Sequence, residues 1–246
     1  GCADGGNPMS DKRLPEKLNT AQKRKRINEA AHILESVYPE AECALKYEGE
    51  PWKLLVMGRL SAQCTDKRVN IVCQTLFSKY PTPSALASAP LEAIEELVRP
   101  CGLYKTKARN LKDSCVMLCD EYNGVLPSDM NELLRFPGVG RKIANLLRGD
   151  IFGLPAIVAD THCMRICGRL GMYEEGLRDA QKVEAILSEL VEAELQTDFC
   201  HRIVMFGRDT CTARSPFCDK CPLCELCVST EKKKKDQLNA ERSAET

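Results

Sequence analysis

Five cysteines fall between positions 211 and 227, in the string CTARSPFCDKCPLCELC, with six, two, two and two residues between successive thiols. Thiols crowded this closely either bind a cation or oxidise. The chain holds fifteen cysteines, an odd number that disfavours a disulfide scaffold. Most of the others sit singly in helical apolar stripes, as small core residues do. Zinc and an iron–sulfur cluster both take four cysteines. Structural zinc sites pair two short knuckles across a longer gap, so the spacing here is closer to the iron–sulfur pattern. Any four of the five satisfy the count.

The segment DMNELLRFPGVGRKIANLLRG, residues 129–149, offers a second kind of chemistry. Leu133 and Leu134 close one amphipathic helix, Pro137-Gly138-Val139-Gly140 makes a tight turn, and Ile143, Leu146 and Leu147 give the next helix its apolar face. Glycines at 138 and 140 permit positive φ and leave no side chain over the backbone amides. Free amides opening a helix bind an anion, and a nucleic-acid phosphate suits them. A bare G-x-G would read as an ordinary turn. The string PGVGRK between two amphipathic helices points instead to a helix–hairpin–helix that clamps a phosphate backbone. Lys142 lies in the first turn of the second helix, where the helix dipole and Arg141 disfavour further positive charge. A lysine held neutral is a nucleophile; a plain phosphate contact is the other role open to it. Asp160 precedes a helix predicted over 161–170 and is placed to cap it. An amine and a carboxylate together suit chemistry at an anomeric carbon, the carboxylate stabilising a developing cation. His162 reads as a structural hydrogen-bonding group rather than a base.

Helices must hold these groups, and apolar spacing predicts helices nearly throughout. Over 66–80, Val69, Val72, Cys73, Leu76, Phe77 and Tyr80 share one face, with Thr65 or Asp66 as cap and Pro81 as stop. Further helices are predicted over 51–62, 90–98, 105–122 and 179–194. Asn123-Gly124 stops the 105–122 helix. The one strand-like run, Ala156 to Ala159, is too short and solitary for a sheet, so the expected fold class is all-α. Residues 10–26 carry seven basic side chains against Asp11 and Glu16, and the tail carries Lys232 to Lys235 without apolar periodicity. Both are expected to be solvated, the tail disordered. Lys plus Arg and Asp plus Glu are each 35, so formal net charge is zero. Coating of nucleic acid by bulk charge is excluded, and any nucleic-acid site must be a local basic surface. No apolar run approaches the ~20 residues of a membrane helix, and no secretory or transit segment is evident, so the expected protein is neither membrane-bound nor secreted.

In chain order, LSAQCTDKRVN (60–70), GLYKTKARN (102–110), FPGVGRKIAN (136–145), VADTHCMRICGRLG (158–171) and a C-x6-C-x2-C-x5-C cluster resemble the endonuclease III family over roughly residues 27–228. These are iron–sulfur DNA glycosylase/AP lyases of the helix–hairpin–helix superfamily. The resemblance implies two helical domains flanking a cleft. A six-helix barrel would span 44–154, with the helix–hairpin–helix at about 129–149. An iron–sulfur domain would combine 27–43 with 155–228, between a flexible basic segment 1–26 and a disordered tail 229–246. The resemblance also implies roles: Lys142 as nucleophile, Asp160 as catalytic aspartate, Gln63 entering the gap left by an extruded nucleotide, and Leu103 as wedge. It implies DNA-backbone contacts at Gly138, Val139, Gly140 and Arg141. A [4Fe–4S] cluster would sit on Cys211, Cys218, Cys221 and Cys227, leaving Cys224 spare and positioning basic residues near Arg202, Arg208 and Arg214.

The implied partner is double-stranded DNA with damaged bases or abasic sites, bound by a monomer in the bacterial cytoplasm (the nucleoid) or in a nucleus. The implied reaction removes oxidised pyrimidines through a lysine Schiff base and then nicks the strand by β-elimination. Cys64, Phe136, Ile143 and Ala159 replace the commoner alanine, leucine, threonine and valine, none at a charge the chemistry needs. The alternatives are a mispair-specific (adenine or thymine) glycosylase of the same fold, a non-catalytic DNA-binding module and a ferredoxin-like electron carrier. Lys142 argues against the adenine-removing type and the hairpin against the carrier.

Overall fold

A computed structural model describes residues 17–244 of the chain; Asp11, Lys12, Arg13 and Glu16 of the expected basic segment lie outside them. Among the described residues there are twelve α-helices and no strand. They are α1 (Thr20–Val37), α2 (Pro51–Leu60), α3 (Asp66–Lys79), α4 (Pro83–Ser88), α5 (Leu91–Val98), α6 (Tyr104–Tyr122), α7 (Met130–Leu133), α8 (Arg141–Asp150), α9 (Thr161–Arg169), α10 (Ala180–Leu190), α11 (Gln196–Asp209) and α12 (Thr230–Ala244). None is long and apolar enough to cross a membrane.

Local signals account for the helix ends. Thr65 caps α3 by accepting from Arg68 N at 3.3 Å. Asn123 (φ 54°) and Gly124 (φ 77°) turn the chain out of α6, and Gly124 N donates to Leu118 O at 2.9 Å. Pro51 opens α2, whose burial is wider than one stripe: Trp52, Leu54, Leu55, Val56, Met57 and Leu60 are all buried. A helix buried on nearly every side belongs at the centre of its bundle.

Two apolar cores form. One is built between Leu45 and Leu147, the other from Ile27, Ala30, Ala31 and Leu34 of α1 with residues from Ile157 to Leu223. The first helix therefore leaves its sequence neighbours and packs on α10 and α11. The cores meet where α8 touches α11. Gly149 makes that approach possible, since a Cβ there would lie 2.5 Å from Thr197 Oγ1.

The ends differ from expectation. Lys23 to Arg26 lie within α1, which begins with a capping box of Asn19 and Gln22, so the flexible segment does not extend to residue 26. The tail forms α12 rather than staying disordered. Its lysines, glutamates and alanines are good helix formers, and apolar periodicity gave no signal because the helix buries nothing. Lys232 Nζ donates to Cys224 O at 2.6 Å and Lys235 Nζ to Pro216 O, holding α12 against the cysteine loop.

Candidate active site

The hairpin is seated from beneath. Gly138 has φ 77°, a conformation that favours glycine, and a Cβ on it would also force the Arg59 and Asn110 side chains to shift. Ser114 Oγ of α6 donates to Pro137 O at 3.3 Å, and Arg148 Nη1 of α8 donates to Ser128 O at 2.6 Å. Gly140 departs from the sequence reading: its φ is −99°, in the ordinary extended region. Its missing side chain instead leaves open space, with no atom within 4 Å of where a Cβ would lie. No side chain caps α8, which leaves the amides of its first turn for an outside acceptor. Val139 anchors the turn, its side chain buried and its amide bonded to Phe136 O at 3.0 Å. Arg141 is not a free cation. It forms a two-bond ion pair with Glu184, Nε to Oε2 at 2.8 Å and Nη2 to Oε1 at 2.5 Å.

Lys142 and Asp160 line one groove of about 650 Å³, together with Gln63, His162, Cys43 and His201. Small-molecule sites span about 300–1,000 Å³, so the space suits one extruded nucleotide. Lys142 is exposed in the first turn of α8. Asp160 caps α9, with Oδ1 accepting from Cys163 N at 2.7 Å. A carboxylate retains further lone pairs after one cap bond, so the capping role leaves Asp160 able to face a cation. His162 Nδ1 is 3.2 Å from Arg165 Nη2. Burial lowers its pKa, partly opposed by Asp160 and reinforced by Arg165. That favours a neutral, hydrogen-bonding imidazole. On the groove wall Arg208 Nη2 pairs with Asp66 Oδ2 at 2.7 Å. Arg202 does not reach a DNA-facing surface: it is buried and donates to Tyr38 O and Pro39 O. Arg214 is exposed.

Four non-glycine residues among those described have positive φ: Glu48, Gln63, Leu103 and Asn123. Asn123 is a helix stop; Gln63 (φ 53°) and Leu103 (φ 47°) are the pair assigned by resemblance to the duplex. A bulky side chain at positive φ is strained, and such strain collects at functional sites. Leu103 is 58% exposed on its own loop, outside the groove wall. Lys107 joins the two loops. It is fully buried, and its Nζ donates to Leu60 O (2.9 Å), Ala62 O (2.7 Å) and Cys101 O (2.9 Å). All three ammonium donors are thus satisfied. Sequence reasoning gave Lys107 no role, although it stands on the α6 stripe with Leu111, Cys115 and Leu118.

The five clustered cysteines line one pocket with Arg169. Arg169 Nη1 lies 3.2 Å from Cys211 Sγ and donates to Thr212 O, while Nη2 donates to Ala213 O at 3.0 Å. Burial raises the thiol pKa of Cys218, Cys221 and Cys227, that of Cys221 to about 11. A bound cation would displace those protons.

Residues 56–193, a little over half of the chain, match the family model for HhH-GPD superfamily base excision DNA repair proteins. Endonuclease III of Synechocystis sp. is 40% identical over 212 residues, covering 86% of this chain and 95% of that one. A solved non-covalent endonuclease III–DNA complex superposes with a TM-score of 0.80 at 42% identity, covering 87% of this chain and 98% of that one. A trapped endonuclease III–DNA covalent intermediate gives 0.79 at 42% identity, covering 86% and 98%. The fold and site define a helix–hairpin–helix protein of base-excision repair. Within that superfamily, the chain belongs to the endonuclease III family.

Proposed function

We propose that this chain excises oxidised pyrimidines from duplex DNA and cleaves the resulting abasic site, with Lys142 as nucleophile. The family assigns it DNA glycosylase and AP lyase activity. Lys142 and Asp160 on the wall of one nucleotide-sized groove carry the residue assignment. The uncapped amides of α8 and the open face at Gly140 hold phosphates. The damaged nucleotide leaves the stack, a step costing a few kcal/mol, while Gln63 and Leu103 fill the gap. The Lys142 amine attacks C1′, the N-glycosidic bond breaks, and the base departs with a proton. Asp160 stabilises the positive charge that develops on the sugar. The sugar ring opens to give a Schiff base with Lys142, a C2′ proton is removed, and the C3′–O3′ bond breaks with the phosphate as leaving group. Water then hydrolyses the Schiff base and frees Lys142.

A [4Fe–4S] cluster on Cys211, Cys218, Cys221 and Cys227 is the second part of the reading. Thiolates on one zinc ion, with bonds of about 2.3 Å, would lie about 3.8 Å apart. Among the described residues, the one such metal-competent set with ligand atoms within 4.8 Å of one another is elsewhere, so the cysteine cage is wider than a single ion requires. The Arg169 guanidinium beside Cys211 offsets negative charge that such a cluster carries. Cys224 lines the same pocket, and it is the family spacing that leaves it out. When bound, the cluster supplies a rigid scaffold for the loop. A DNA substrate places the protein with the chromosome, in a nucleoid or a nucleus.

Borohydride trapping on abasic-site duplex tests the nucleophile. The wild type is expected to form a covalent adduct, and Lys142→Ala is expected to lose it while still binding DNA. A wild type that binds but never traps would overturn the lyase reading and leave a glycosylase without a Schiff base or a non-catalytic module. A panel of single-lesion duplexes tests the base preference, with oxidised pyrimidines expected to be cut fastest.

A further inference from the structure

Three side chains outside the cysteine pocket come together where the two cores meet. Cys43 lies in the connection between α1 and α2, Asp150 is the last residue of α8, and His201 lies on α11. One ligand atom from each falls within 4.8 Å of the other two. His201 Nε2 is 2.6 Å from Asp150 Oδ1, and the two side chains are 13% and 7% exposed. The second carboxylate oxygen, Asp150 Oδ2, is buried with no hydrogen-bond partner. Buried carboxylate oxygens are almost always paired, and the Cys43 thiol lies close enough to Asp150 to bond to it through a proton that a cation can displace. Cys43 and His201 also reach the wall of the groove that holds Lys142.

We propose that Cys43, Asp150 and His201 form a binding site for one divalent cation of the zinc type. The donor set fits: thiolate, imidazole and carboxylate are the three protein ligand types zinc accepts, and its tetrahedral sites with three protein ligands keep a fourth position open. Because Cys43 and His201 border the groove, water or a ligand reaches that position from it. Zinc bonds of about 2.0–2.3 Å place ligand atoms about 3.2–3.8 Å apart. The three ligand atoms lie within 4.8 Å of one another, so small side-chain adjustments bring them onto one cation, and the His201–Asp150 contact of 2.6 Å lengthens by about half an ångström as the cation comes between them. His201 binds as the neutral imidazole through one ring nitrogen with its proton on the other, the Cys43 thiol releases its proton on binding, and no oxidation state changes. The cation would tie α8, from the first core, to α11 and the α1–α2 connection.

The test titrates zinc chloride into the cluster-loaded protein by calorimetry, with the visible absorbance of the cluster followed to show that it stays intact. The expected result is one equivalent bound by the wild type, affinity at least ~10-fold weaker in Asp150→Asn and in Cys43→Ser, and a zinc-dependent rise in Tm that both variants lack. Cadmium-113 resonance of the wild type gives a readout that needs no variant: one signal in the range of a mixed sulfur, nitrogen and oxygen site. Absence of binding in the wild type, binding by both variants as tight as that of the wild type, or an all-sulfur cadmium signal would overturn the proposal.

Discussion

Asp160 has one observed duty and one proposed, and a single substitution can separate them. Its carboxylate caps α9, and in the proposed mechanism it faces the charge developing at C1′. Asparagine caps a helix about as well as aspartate but carries no charge. Asp160→Asn is therefore expected to change stability by less than about 0.5 kcal/mol, measured by denaturant unfolding, while excision slows by at least ~100-fold. A large stability loss with unchanged single-turnover rate would assign Asp160 to the cap alone. Gln63 and Leu103 make a second separable pair. Both occupy positive φ, and neither carries a group that bonds to the sugar. Gln63→Ala and Leu103→Ala are expected to slow excision of a paired lesion by about 10–100-fold, the cost of losing part of the support for an extruded base. Borohydride trapping on a preformed abasic site, where no base remains to extrude, should fall much less.

The hairpin and the loops of Gln63 and Leu103 are positioned by contacts of different visibility in the sequence. Gly138→Ala would strain a backbone at φ 77° and drive a methyl into Arg59 and Asn110, so a loss of about 1–3 kcal/mol is expected together with weaker DNA binding. Gly140→Ala meets no neighbour and needs no unusual φ, so its unfolding midpoint should match the wild type while DNA affinity falls, because the methyl stands before the α8 amides. Equal destabilisation by both would show that the two glycines serve the fold alike. The helices and the glycine turn were legible because apolar stripes and turn residues are local signals. Asp160 as a cap was legible for the same reason. Lys107 was not, since a lysine on an apolar stripe looks like an error until the carbonyls of Leu60, Ala62 and Cys101 are brought to it. Lys107→Met keeps the stem and removes the donors. It should cost at least about 2 kcal/mol through the orphaned carbonyls and slow lesion excision more than trapping at a preformed abasic site.

Across the whole molecule, what the sequence concealed is what joins distant segments. Cys43, Asp150 and His201 carry no motif because each comes from a different element, and Arg169 reaches the cysteine loop from the end of α9. The tail is a further case. Four consecutive lysines without apolar periodicity read as a solvated, disordered tail, yet Lys232 and Lys235 point at carbonyls of the cysteine loop. Glu175 fixes the start of α12 through Ser229 Oγ at 2.9 Å and Thr230 N at 3.1 Å. A polar helix held by such contacts covers the loop rather than adding to a core. Ending the chain after Ser229 should therefore leave global stability nearly unchanged but expose the cysteine pocket. Iron is expected to leave the truncated protein several times faster in the presence of a chelator, followed by loss of the visible absorbance. DNA affinity per cluster-loaded molecule should change little, because three of the four lysines are already engaged within the protein. The opposite pattern, unchanged iron retention with strongly weakened and less salt-dependent DNA binding, would assign the tail to the phosphate backbone instead.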